Sequence, residues 1–443
     1  MIGPPTADRE VALATGIFDV PWAWMVCLVA GAMLVWFGRR GTWALVGGLI
    51  LLFTAPAGGL ITTAVWGHYP TIDKAGSLHF YTLGAHFHSF DTSAAATQLI
   101  GVSMGHLWVT AVFDLFVAPF AAMNLQAFAN LVLGWGLAAK LGELVGVERR
   151  WAIVAALPMG LGLHLFADIN WYTIEKSGVW ALTLYAYVLL RAVREGKGWL
   201  PLSAAAYFWA FYYNAYWGVL AALIGSGVFL GGGPRARLPV LISAIGALPF
   251  LALQLPALRN SQLPPPEAFA TRAALDSVTL WPPTWARLEL WAALDWVVCG
   301  AAVFGVAEAL RARFGPRRRA EASPEVGVST VAVPIGATGD AAGGPLAGWP
   351  GAELRFGAGL VGAAVLALGP ATFVYSAFAK APGMWRFAKP ETFFHLVVLG
   401  STLLAGRTLS RSRLNPWAVL AVQLGLWLWF TRLHPAYPGF SEP

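Results

Sequence analysis

Charge is what this chain has least of. Of 443 residues only 12% are Asp, Glu, Lys or Arg, against about a quarter in an ordinary soluble domain. Acidic groups are the scarcer sign, 22 against 29 basic, and there are only two cysteines. The low charge excludes a water-soluble fold of this length. Cys27 and Cys299 both sit inside apolar runs, which reads as two buried thiols and excludes a disulfide framework or a cysteine-rich metal module. Spacings of the HExxH type, or matched Cys/His pairs, are missing as well. No internal repeat of fixed period is evident.

What the chain has instead is apolar sequence. Hydrophobic residues make up 58%, with 22 Trp and 26 Phe, and apolar runs of about 17 to 25 residues recur from end to end. That pattern predicts an all-α, polytopic membrane protein. Spans are expected at 20–38, 42–66, 121–146, 151–168, 177–193, 200–213, 216–231, 238–257, 288–310, 356–378, 391–406 and 415–431, about 12 crossings in a range of 10–13. Tyr212, Tyr213, Asn214, Tyr216 and Trp217 interrupt the run at 200–231, so two short helices are expected there rather than one long one.

The net charge of +7 follows from this topology. With Arg39 and Arg40 on the cytoplasmic side, alternation also puts there the turns at 140–150, 191–197, 235–237, 311–319, 355 and 407–413, which hold most of the basic residues. Because these cations are spread over short turns, nucleic acid is excluded as a partner. Both termini then face outward. Residues 1–41 read as a retained extra helix, since Asp8, Glu10 and Asp19 precede the first run where a signal peptide would be basic. The segment 314–355, rich in Gly, Ala, Pro and Val around Arg317, Arg318 and Arg319, reads as a flexible cytoplasmic linker. It divides a core at 42–313 from C-terminal helices at 356–443.

The working surface is expected on the other face. Residues 67–120 form the longest external stretch, half-apolar and suited to helices lying in the interface. Five of the eight histidines, His68, His79, His86, His88 and His106, fall there. Imidazole binds divalent metals and anions, so His86 and His88 are candidate ligands for a divalent metal and His79 a candidate substrate contact, although rings also gather at interfaces without function. Asp73 and Asp91 are the candidate catalytic carboxylates, placed to reach a lipid-anchored substrate in the outer leaflet. In the last external loop Arg386 and Lys389 are suited to hold a phosphate, beside Glu391. Tyr213 belongs to a group of aromatic residues on which a sugar could stack.

The order of these features resembles a known family. A large first external loop with an Asp, then MNLQAFANLVLGWGLAAKLGELVGVERR, DINWYTIEKSGVWALTLYAYVLLRAVREGKGWLPLSAAAYFWAFYYNAYWGVL, RAALDSVTLWPPTW and PGMWRFAKPETFFHLVVLGSTLLAG, resembles polytopic GT-C-fold glycosyltransferases and their bacterial membrane-protein relatives over most of 42–406. The resemblance implies a bacterial inner-membrane protein that transfers a sugar from a polyprenyl-phosphate donor to an acceptor at the periplasmic face. Asp73 is the position matching the family's loop base. The family often pairs two acidic residues there, whereas Lys74 follows Asp73 here. The alternative is a non-catalytic subunit of the same fold that binds membrane lipid or a protein partner within a larger complex.

Overall fold

Pro, Gly and basic turns cut the apolar sequence into helices. The computed structural model describes residues 41–54, 105–116, 119–162, 165, 177–250, 252, 295–314, 352–367, 373–380 and 390–428. Among them every regular element is helical. In chain order these are α1 (Gly41–Thr54), α2 (Gly105–Asp114), α3 (Pro119–Leu144), α4 (Arg149–Ala155), α5 (Pro158–Leu161), α6 (Trp180–Glu195), α7 (Leu200–Tyr213), α8 (Ala215–Gly231) and α9 (Pro234–Ile245). Then follow α10 (Asp295–Phe314), α11 (Ala352–Ala367), α12 (Phe373–Lys380), α13 (Pro390–Ser410) and α14 (Pro416–Leu428).

The helices follow the expected runs, with informative exceptions. The run expected at 151–168 is broken after Ala155, because Pro158 cannot donate to the helix ladder, and the short helix it opens ends at Gly162. The 200–231 stretch is two helices. Asn214 separates them in an extended conformation and caps the second, its Oδ1 accepting from the Tyr216 N–H at 2.9 Å. Helix α11 begins at Ala352, so the last residues of the expected linker are helical, while 315–351 lies outside the described residues. The first expected span, 20–38, lies outside them too.

One described helix, through Phe393–Ser410, is long and apolar enough to cross a membrane, and Ala215–Gly231 and Pro416–Trp427 are shorter apolar helices. Large side chains fill the interior: Trp135, Trp217, Trp427, Tyr185, Tyr213 and Phe393 are fully buried. Helix α3 runs through the centre and folds back on α4 and α5. There the Trp135 indole donates to the Ile153 carbonyl at 2.8 Å, and Gly160 leaves room for the Trp135 ring. Apolar residues also remain on the outside, among them Leu230 and Phe373, 83% and 85% exposed.

Neighbouring contacts fix which turns share an end. Helices α6 and α7 are joined by the short turn Lys197–Trp199 and pack antiparallel, Tyr185 against Tyr207. Helix α9 runs parallel to α7, with Gly246 on the Ala204 carbonyl and Phe250 stacked on Phe211. The turns carrying Lys197 and Arg235 therefore lie at one end of the bundle. The opposite end holds the end of α7 and the start of α8, where His395 of α13 meets the Trp217 ring edge-on at 4.9 Å. Gly406, eleven residues or about 16 Å further along α13, meets Val147 in the α3–α4 turn. Arg149 and Arg407 are thus also well removed from the Trp217 end.

Candidate functional site

Away from the basic turns, four segments meet around Tyr213. Its hydroxyl donates to Asn130 Oδ1 at 2.8 Å, and the Trp180 indole donates to the same oxygen at 2.8 Å. Asn130 Nδ2 donates in turn to Ser177 Oγ at 3.0 Å. One amide on α3 thus holds the start of α6 and the end of α7. Gln126, one turn earlier on α3, extends the network to α2: its Nε2 donates to the His106 carbonyl at 3.0 Å, and Thr110 Oγ1 bonds its Oε1. All seven residues, counting His106, are buried. Such a network is stabilising only because its members find partners, since each buried polar atom left unpaired would cost about 1–3 kcal/mol.

Glycine permits the close packing. A Cβ at Gly105 would stand 2.6 Å from Tyr213 Cα, and one at Gly178 would overlap the Tyr213 ring. So α2 seats directly on the backbone at the end of α7, where the Trp108 indole also donates to the Tyr212 hydroxyl. Rings complete the enclosure, with Trp180 edge-on to Tyr213 at 5.2 Å, Trp209 at 6.0 Å and His106 at 6.3 Å. Burial removes water from the His106 imidazole and pushes its pKa down to about 4, against a smaller upward effect from a backbone hydrogen bond at Tyr213. His106 is therefore neutral at physiological pH.

Of the residues singled out from sequence, Tyr213 lies in this network, fully buried. Glu391 falls in the first turn of α13. Asp73, Asp91, His79, His86, His88, Arg386 and Lys389 lie outside the described residues. Among the described residues no three His, Cys, Asp or Glu side chains gather as a metal site requires. Asn130, Gln126, Thr110, Ser177 and Trp180 were not singled out. The signal was present for the two amides, because a carboxamide inside an apolar run must find a partner on another helix.

The basic end is built differently. Lys140 pairs with Glu143 at 2.8 Å, Arg149 approaches the same carboxylate at 4.0 Å, and Arg191 pairs with Glu195 one turn on. Arg191 also lies over the Tyr187 and Trp199 rings, 5.4 and 5.2 Å from their centroids. All of these charged groups keep part of their surface in solvent.

No family model matches the chain, and neither a curated protein nor a solved structure matches it.

Proposed function

We propose that this chain is a multi-span membrane glycosyltransferase that moves a sugar from a polyprenyl-phosphate donor to an acceptor at the outer membrane face. The observation that carries the reading is the seating of α2. This helix is the tail of the expected external loop 67–120, and it packs at the end of the bundle away from the basic turns. That end is the one the charge pattern assigns to the outer side, which supports a working surface there, and the exposed apolar face of α9 suits contact with lipid.

In this mechanism Asp73, or Asp91 in its place, takes the proton from the acceptor hydroxyl. The acceptor oxygen bonds to the anomeric carbon as the bond to the lipid phosphate breaks. Arg386 and Lys389, with Glu391 beside them, hold the departing phosphate. A divalent metal on His86 and His88 would supply further charge to that phosphate. The test is transfer of labelled sugar from polyprenyl phosphate by vesicles carrying Asp73→Asn. Loss of product with normal insertion supports the base role, and undiminished transfer removes Asp73 from it.

One observation favours a second reading. Tyr213, the candidate sugar-stacking residue, is closed in on all sides and its hydroxyl is committed to Asn130. That suits a non-catalytic subunit of the same architecture, in which the network holds a docking surface for lipid or a protein partner. Absence of transfer activity in the unsubstituted protein, with stable co-purification of a partner chain, would favour it.

A further inference from the structure

Helix α9 has two unlike faces. Ala236, Pro239 and Ser243 are buried and point toward α6 and α7, with Ser243 hydrogen-bonded to the Tyr185 hydroxyl at 3.2 Å. At about 100° per residue, Arg237, Leu238, Leu241 and Ile245 fall on the opposite side, within about 100° of one another. Leu238, Leu241 and Ile245 are 58%, 57% and 58% exposed, and Leu248 continues the apolar line at 59%. Arg237 thus crowns an exposed apolar stripe.

The charge at the top of the stripe is one-sided. Arg235 and Arg237 are exposed at the start of α9, and Arg194 and Lys197 are exposed at the α6–α7 turn on the same end. Glu195, the carboxylate nearest in sequence to this group, is engaged by Arg191. Among the described residues neither Arg235 nor Arg237 forms an ion pair, and Arg237 rests over the Phe229 ring, 5.8 Å from its centroid. A stripe of three apolar side chains extends about 12 Å below the guanidinium, the scale of an acyl-chain segment. Cations above and an apolar face below match one amphipathic molecule carrying a negative headgroup.

We propose that the start of α9 is a binding site for an anionic phospholipid. The guanidinium groups of Arg235 and Arg237 hold the headgroup phosphate, and Arg194 and Lys197 add to the local positive potential. An acyl chain lies along Leu238, Leu241 and Ile245. This site rests on the membrane-spanning reading and is independent of glycosyl transfer. Arg suits it better than Lys would, because the planar fork meets phosphate oxygens in pairs.

The experiment uses the full chain in mixed phosphatidylglycerol and phosphatidylcholine vesicles, with bound lipid counted by native mass spectrometry after gentle extraction. The intact protein is expected to retain phosphatidylglycerol in preference to phosphatidylcholine. At about fivefold per basic residue near the surface, R235Q/R237Q should lower that preference about 25-fold. R235K/R237K, which keeps the charge, should keep most of the preference and so reports that the fold survives. Equal preference in R235Q/R237Q and the unsubstituted protein overturns the site. Failure of the protein to float with vesicles of either composition overturns the membrane-spanning reading itself, an outcome distinct from flotation without lipid preference.

Discussion

The two ends of the bundle solve the problem of polar groups in opposite ways. Around Tyr213 the polar groups are neutral, buried and joined to one another, with Asn130 serving three partners at once. At the basic turns they are charged and partly solvated, and pair locally, Lys140 with Glu143 and Arg191 with Glu195. Removing one member from the first end strands the others without water. Removing one from the second leaves its partner to the solvent. The neutral end should therefore carry stability and geometry, while the basic end should contribute little to folding.

The largest effect is expected from Asn130→Ala. It takes the acceptor from both the Tyr213 hydroxyl and the Trp180 indole, and should lower stability by about 3 kcal/mol. Thermal unfolding in detergent measures it, and an unchanged midpoint would break the contrast between the ends.

A somewhat smaller effect comes from pH. The His106 pKa is pushed down to about 4 in the folded chain, from an ordinary value near 6.5. Below about pH 6.5 the unfolded or undocked state takes the proton first, so acid destabilises the docked form, increasingly down to about pH 4. At pH 5 the docking of α2 should be weaker by about 2 kcal/mol than at pH 7.5. Hydrogen exchange of residues 105–114 against pH reads this out, and His106→Gln should flatten the profile.

The smallest effect is expected at the other end. Glu195→Gln removes the partner of a half-exposed Arg191 and should change stability by no more than about 0.5 kcal/mol. A loss several times larger would show that the basic end is structural after all.

The boundaries of α6, α7 and α8 are legible in the sequence, because Asn214, the Lys197 turn and the Gly231–Pro234 turn stop these helices by local chemistry that sequence displays. The break at Pro158 is written the same way, in a residue that cannot donate to the helix ladder, while apolar content alone does not show it. In sequence Tyr213 reads as a ring on which sugar could stack. Its bond to Asn130 depends on two residues 83 apart in sequence, and no periodicity reports that. Gly105 and Gly178 read as ordinary small residues, yet their lack of a Cβ is what admits the Tyr213 side chain and backbone. The candidate carboxylates and phosphate-holding cations lie on segments outside the described residues, so sequence remains the basis for them.

Asn130 also sets an order in time. Its partners Ser177, Trp180 and Tyr213 follow it by 47, 50 and 83 residues. A ribosome adding about 5–20 residues per second makes Asn130 between about 4 and 17 seconds before Tyr213. During that interval the freshly made α3 carries a carboxamide whose permanent neighbours do not yet exist, and its tight placement must wait for α7. Assembly of this half of the protein is thus gated by the synthesis of α7, and a chain truncated before Tyr213 should leave α3 without the neighbours that fix its place.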